Sequence, residues 1–449
     1  MEIKGKKISI LGAVRSGISS AKLALAKEAI PFVSDVSKSD EVINNCKVLD
    51  NLGIESEIGT HSSRVFDCDF IITSPGVPSN SEIIKTAIVK GIKVVSELEF
   101  ASWFCRGNII AITGTNGKTT TSTLCSHVLN SVNKKCYLAG NIGLPFSEIA
   151  LNVNDDEYVV LEVSSFQLDF IETFRPKFSV LLNITPDHLD RYENRFDLYI
   201  KSKMKIVENQ GQGDRFIYNG DDSNIPIGYV SKETKMFAFS LDKNLSNGVF
   251  LDEDWLVYSK DNNVVDICKI NDLALKGEHN LLNSMAVINI AMNIGINPEE
   301  IKNALSSFKG VEHRLEFVKE INGIKIINDS KATNVDSVWY ALRSFNEPIY
   351  LILGGKDKGN DYSKIKDEVK KRVKKIYAIG SSAEKVKEYF KNVTEVEIVE
   401  TLKDTIKKGI AEAQEGSILL LSPACASFDM FKNYEDRGTQ FKKIVNELK

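Results

Sequence analysis

Along the chain, short runs of aliphatic and β-branched residues alternate with longer stretches whose apolar positions return every three or four residues. The short runs fit strands buried on both faces, and the longer stretches fit helices with one apolar face. KISIL at 7–11 and PFVSDV at 31–36 predict the first two strands, and FIITSPG, Phe70 to Gly76, predicts another that ends in a turn. ELEFASWF then predicts a helix, and a boundary is expected near 97–108. A second unit opens with NIIAIT and continues through YVVLE and FSVLL, with its helical end in HNLLNSMAVINIAMNIG and IKNALSSF. A third begins near Gly310 and holds three strands that run into polar turns, IKIINDSKATN, IYLILGGKDKG and ILLLSPACASF.

This alternation predicts the α/β class, with parallel sheets covered by helices. The expected division is three α/β units at 1–98, 99–309 and 310–449. The first and last are expected to be Rossmann-like and the middle one a phosphate-loop unit. Ligands of such sheets bind beyond the carboxyl ends of the strands, where this chain concentrates glycine and polar residues.

Composition narrows the function. At 449 residues the chain is too long for one ordinary domain. Its 57 basic and 61 acidic side chains leave a formal net charge of -4 with no basic stripe, which argues against nucleic acid as a partner. No apolar run reaches the length of a membrane span, and the opening MEIKGKKISILGA lacks the pattern of a secretion signal. Seven cysteines are scattered without the paired short spacings of a zinc ribbon or disulfide framework. The expected setting is a reducing cytoplasm with no membrane partner.

The strongest local signal is GTNGKTT, Gly114 to Thr120, directly after the strand NIIAIT. Gly114, Thr115, Asn116 and Gly117 form a loop whose backbone N–H groups can approach phosphate oxygens at a helix N-terminus. Lys118 can reach the outer phosphates of ATP, and Thr119 and Thr120 supply hydroxyls, the first for Mg²⁺. The loop departs from the full phosphate-loop pattern because Ile112 stands at the first glycine position. A bare strand-to-helix turn with a surface lysine is the bland rival, but glycines, lysine and hydroxyls arriving together favour phosphate. Glu162, ending the run YVVLE, is the expected Mg²⁺ ligand on a neighbouring strand. His188 stands between Asp187 and Asp190 in TPDHLDRY, in a chain with five histidines, and is a candidate for the same metal chemistry. GAVRSG, Gly12 to Gly17 and including Ser16, can present N–H groups to a diphosphate. Val14 occupies the middle glycine position of a dinucleotide fingerprint, which disfavours a nicotinamide cofactor.

ITGTNGKTTT, GNIGLP, LEVSSFQL, NITPDHLDRY, GEHNLLN, HRLE, NDSKATN and SPACASFD occur in one order over most of the chain. Together they resemble the Mur ligases, and within that family the branch that adds D-glutamate. The resemblance implies an enzyme that uses ATP and Mg²⁺, with two metal sites, to activate a substrate carboxylate as an acyl phosphate. An incoming amine then forms the amide. It implies UDP-N-acetylmuramoyl-L-alanine and D-glutamate as partners, and a monomer.

Carried over residue by residue, Lys118, Glu162, His188 and Lys203 are the expected catalytic group. Thr119, Glu162, His188 and a CO₂-derived carbamate on Lys203 would serve the metals. The residues alone do not separate Lys203 from Lys201 and Lys205. Asn283 is expected to contact the adenine, and Arg314 and Asp329 are expected around the nucleotide, in addition to the phosphate-loop residues. Ser16, Asp35, Ser74, Pro75, Gly76 and Asn141 are expected at the UDP-substrate, with Ser37 where some relatives carry an arginine. Lys331, Thr333, Lys358, Ser427, Phe428 and Tyr434 are expected to receive D-glutamate, since cations and a hydroxyl suit a dicarboxylate. Folylpolyglutamate synthase shares the phosphate loop but lacks a separate N-terminal UDP-binding unit. A ligase-derived regulator would not need Lys118, Glu162, His188 and Lys203 together.

Overall fold

The protein is described by a computed structural model over residues 2–357 and 359–448, so the expected glutamate ligand Lys358 lies outside the described residues. The first apolar runs become β1 (Lys7–Leu11), β2 (Ile30–Asp35), β3 (Glu55–Ile58), β4 (Phe70–Thr73) and β5 (Lys93–Ser96). They form an all-parallel sheet in the order β3-β2-β1-β4-β5. The order reverses at β1, so the loops after β1 and β4 face one crevice.

The second sheet holds β6 (Asn108–Thr113), β7 (Cys136–Gly140), β8 (Tyr158–Glu162), β9 (Phe178–Leu181) and β10 (Arg215–Asn219). It continues with β11 (Lys235–Ser240), β12 (Gly248–Asp252), β13 (Trp255–Lys260) and β14 (Asn263–Lys269). Its order is β14-β13-β12-β11-β10-β9-β6-β8-β7, parallel from β7 across to β12 and antiparallel at β13 and β14. The sequence reading did not single out this antiparallel end. Its signal is a two-residue turn, Asp261-Asn262, where both residues take the positive φ that a tight hairpin demands.

The third sheet contains β15 (Glu316–Ile321), β16 (Ile324–Asn328), β17 (Ile349–Gly354), β18 (Val373–Ile379), β19 (Glu395–Ile398) and β20 (Ile418–Leu421). Its order is β15-β16-β20-β17-β18-β19, parallel except for the β15–β16 hairpin through Asn322-Gly323. β17 and β20 are buried along their whole length, as expected of uninterrupted apolar runs between helical layers.

The chain forms two compact units. The first carries the first two sheets, up to Leu273 and again over Leu281–Phe308; the second carries Ala274–Asn280 and the chain from Lys309. One hydrophobic cluster explains why the first two sheets go together, because it runs from Ile8 and Val33 through Leu98 and Phe100 to Leu161 and Phe174. The connecting helix Glu97–Ser102 adds two buried carboxylates to this joint. Glu97 accepts from Ser147 N at 2.6 Å, while Glu99 accepts from Glu172 N at 3.0 Å, Phe174 N at 2.8 Å and Trp103 Nε1 at 2.8 Å.

Candidate active site

The phosphate-loop candidate leaves the carboxyl end of β6, where the second sheet also reverses its order, and enters the helix Lys118–Ser131. Gly117 caps that helix at φ 84°, and a Cβ there would come within 2.5 Å of Asn283 Oδ1, so only glycine fits. Asn283 thus sits against the loop. The loop is braced by Asn183, just beyond β9, whose Oδ1 accepts from Asn116 N at 2.8 Å and whose carbonyl accepts from Thr115 N at 2.9 Å. Thr115 Oγ1 lies 3.2 Å from the Tyr199 hydroxyl. Asn183 and Tyr199 were not singled out from the sequence, although Asn183 belongs to the quoted NITPDH block. Lys118 folds back, donating to the carbonyls of Gly114 and Thr115 at 2.8 Å each.

Glu162, ending β8, is buried with both oxygens engaged. Thr119 Oγ1 donates to Oε2 at 2.7 Å, and Asn141 Nδ2 donates to Oε1 at 2.8 Å. Among the described residues no cluster of three or more His, Cys, Asp or Glu side chains could hold a metal. One carboxylate beside one hydroxyl is a poor zinc site and a fitting Mg²⁺ site, because Mg²⁺ keeps its waters and takes phosphate oxygens as ligands. His188 adopts a left-handed backbone at φ 52°, with Nε2 3.7 Å from Asp187 Oδ2 and its ring edge-on to Phe166.

Lys203, on the helix Phe196–Met204, is 1% exposed, whereas Lys201 is exposed. Of the three neighbouring lysines only Lys203 is buried, Lys205 being half-buried. Lys203 Nζ donates to Gly114 O at 2.9 Å, the same carbonyl that takes Lys118, and lies 4.7 Å from the centre of the Tyr199 ring. Burial, then the neighbouring Lys118 charge, drive its pKa well below the ordinary lysine range, with Asp187 opposing. A lowered pKa makes the neutral, nucleophilic form of this amine easier to reach than it is for a solvated lysine.

A cavity of ≈ 770 Å³ opens at the carboxyl ends of β1, β2 and β4. Ser16, Asp35, Ser74, Pro75, Gly76 and Asn141 all line it. Gly17 closes the loop after β1 so tightly that a Cβ would lie 1.8 Å from Gly12 O. Ser74 Oγ is buried without a hydrogen-bond partner among the described residues, a polar atom waiting for a ligand. Arg15, missed in the sequence reading, also lines the cavity and donates to Gly143 O in the GNIG loop. Asn141 is shared, since it lines this cavity and holds Glu162.

In the second unit, Asp329 directly follows β16 and is buried, accepting from Ser422 Oγ at 2.8 Å, with Arg314 Nη1 3.7 Å away. Burial first pushes its carboxyl up to about 6, with Arg314 and Ser422 opposing. Lys331 Nζ lies 5.0 Å from the centre of the Tyr434 ring, and Thr333 N donates to Lys331 O at 2.9 Å. Arg437, also missed, is buried and ties the two loops together, donating to Ser330 Oγ at 2.9 Å and to Cys425 O at 3.2 Å. Ser427 is buried in the loop after β20, and Phe428 beside it is 66% exposed.

A phosphate loop over a Mg²⁺-type carboxylate, joined through one asparagine to a second ligand cavity, defines an ATP-using enzyme with a separate acceptor site. The profile of the MurD N-terminal domain matches residues 7–83, that of the Mur ligase middle domain 112–291, and that of the Mur ligase glutamate ligase domain 313–425. The chain belongs to the Mur ligase family. It is 41% identical over its full length to a protein of Salinibacter ruber named UDP-N-acetylmuramoylalanine–D-glutamate ligase, covering 99% of that protein. A protein of the same name from Chloroherpeton thalassium is 43% identical, with 100% of this chain and 99% of that one covered. Among solved structures, the UDP-N-acetylmuramate-alanine ligase MurC of Thermotoga maritima shares the fold at a TM-score of 0.63 and 20% identity, over 99% of this chain and 100% of that one.

Proposed function

We propose that this chain joins the L-alanyl carboxylate of UDP-N-acetylmuramoyl-L-alanine to the amine of D-glutamate with ATP, a step of peptidoglycan precursor synthesis. The observation that carries the reading is Asn141, which touches Glu162 on one side and lines the substrate cavity on the other. This shared residue supports a reading in which the phosphate to be transferred and the carboxylate to receive it meet beside Asn141.

The residues divide the work. On ATP binding, Lys118 exchanges two loop carbonyls for phosphate oxygens, and the loop N–H groups and helix N-terminus hold the rest of the charge. Thr119 and Glu162 would hold Mg²⁺, which when bound neutralises charge on the phosphoryl group in transfer. The alanyl carboxylate displaces ADP from the γ-phosphorus, and the amine of D-glutamate then displaces phosphate from the acyl phosphate. Catalysis is chiefly alignment and charge neutralisation. Lys203, as its carbamate, and His188 are assigned to a second Mg²⁺; burial lowers the Lys203 pKa and so favours the neutral amine, the only form that attacks CO₂, which supports the carbamate. Asn283, Arg314 and Asp329 are assigned to the nucleotide, and Lys331, Thr333, Ser427, Phe428 and Tyr434, with Lys358, to D-glutamate.

In this reading residues 1–98 take the UDP portion, 99–309 ATP and 310–449 the amino acid, in a cytoplasmic monomer. No helix among the described residues is long and apolar enough to cross a membrane. The test is phosphate release with Mg·ATP and UDP-N-acetylmuramoyl-L-alanine, comparing D-glutamate, L-glutamate, L-lysine and no amino acid. Release with a new amide only in the D-glutamate reaction is expected. Turnover with another amino acid overturns the amino-acid assignment, and none with any of them overturns the ligase reading.

A further inference from the structure

His61 follows β3 and lines the first-sheet cavity beside Asp35 and Ser37. Its Nδ1 lies 2.7 Å from Ser34 Oγ, which in turn lies 2.7 Å from Glu57 Oε1. Glu57 also accepts from Ser62 N at 2.9 Å and Ser62 Oγ at 2.6 Å. Burial would raise its carboxyl, but these hydrogen bonds together hold it below the ordinary glutamate value, so it is an acceptor only. The single hydroxyl proton of Ser34 therefore turns to Glu57, and its oxygen offers a lone pair to His61. Nδ1 must then carry the ring hydrogen. Burial lowers the imidazole pKa, with Glu57 and Asp35 opposing, so the ring is neutral near pH 7. A neutral ring with its hydrogen on Nδ1 leaves Nε2 as a bare acceptor. Asp35 already has a backbone partner on each oxygen, Ala13 N on Oδ2 and Ser37 N on Oδ1, both at 2.7 Å.

A diphosphate on the loop after β1 directs the nucleoside across β2 toward β3, which is the side His61 occupies. We propose that His61 reads the base of the nucleotide-linked substrate, with Nε2 accepting the imide N–H that uracil has and cytosine lacks. Cytosine would set its own ring lone pair against that of Nε2. The inference rests on the reading of this cavity as the uridine diphosphate site, and it makes His61 a specificity-determining residue for that site.

The test measures kcat/KM for the uridine and cytidine diphospho forms of N-acetylmuramoyl-L-alanine, at saturating Mg·ATP and D-glutamate. The unaltered enzyme should prefer the uridine form. His61→Ala should lower the uridine-to-cytidine ratio about tenfold, through KM for the uridine form, as the loss of one base-reading hydrogen bond requires. His61→Gln, which can place a carbonyl acceptor near the Nε2 position, should keep most of the preference. Ser34→Ala, which frees the ring to change tautomer, should lose part of it. An unchanged ratio in His61→Ala, or an equal loss with both bases, overturns the proposal. An unaltered enzyme that turns over neither form overturns the uridine diphosphate reading itself, a failure distinguishable because no variant is needed to see it.

Discussion

Lys203 shows how far burial changes a residue's chemistry. In the sequence it is one of three lysines on a polar helical stretch, and an exposed position would be the ordinary expectation. In the fold it is buried against the loop carbonyl that also takes Lys118. With carbon-13 bicarbonate, the unaltered protein is expected to show a carbamate carbonyl resonance that Lys203→Ala lacks. Loss of the buried amine should also lower kcat by about 100-fold or more, the scale of removing one group that stabilises transferring charge. A fully active Lys203→Ala would remove the carbamate from the mechanism. Asp329 offers a test through pH. Its carboxyl, raised to about 6, keeps in the fold a proton that the unfolded chain releases near pH 4. Stability contributed by that proton is therefore lost as pH rises from about 4 to about 6, and the effect is level above that window. Urea unfolding at several pH values should show Asp329→Asn lacking this part of the slope.

Among the elements, the short helix Glu97–Ser102 has the most to hold. Its apolar residues Leu98, Phe100 and Ala101 enter the cluster shared by the first two sheets, while Glu99 gathers N–H donors from the segment 172–174 and from Trp103. Glu99→Ala would strand several buried donors at once, so a loss of about 3 kcal/mol or more is expected in urea unfolding. Glu99→Gln should also be destabilising, because its amide turns an N–H toward donors that need an acceptor. A change within about 0.5 kcal/mol for Glu99→Ala, the size of an ordinary surface substitution, would show that the joint does not depend on this carboxylate.

For the whole molecule, the proposed division of labour predicts separable kinetics. Lys331→Ala, in the second unit, should raise KM for D-glutamate about tenfold, the scale of one charge-assisted hydrogen bond. KM for the UDP-substrate should stay within about twofold. Ser74→Ala, in the first-sheet cavity, should do the reverse. Initial rates with each substrate varied in turn would decide, and a shift of both constants in each variant would contradict the division.

The elements and their order were legible from the sequence because a buried parallel strand is an unbroken apolar run, and its ends carry glycine and polar residues. GTNGKTT and Glu162 were legible for the same reason, each standing at the end of such a run. The strands β12–β14 were not, since their buried and exposed positions fall in blocks rather than in the alternation of an ordinary antiparallel strand. Local pattern likewise could not reveal that Asn183 and Tyr199 brace the phosphate loop, that Arg437 ties two loops together, or that His61 reaches the cavity through Ser34 and Glu57. These roles depend on partners far away in the chain. The sequence by itself determined the fold class, the phosphate loop and the family resemblance, because each is written in consecutive residues. The tertiary structure decided that Lys203 is buried, that Ser74 Oγ has no partner among the described residues and that His61 lines a cavity, because burial and distance between remote residues exist only once the chain has folded.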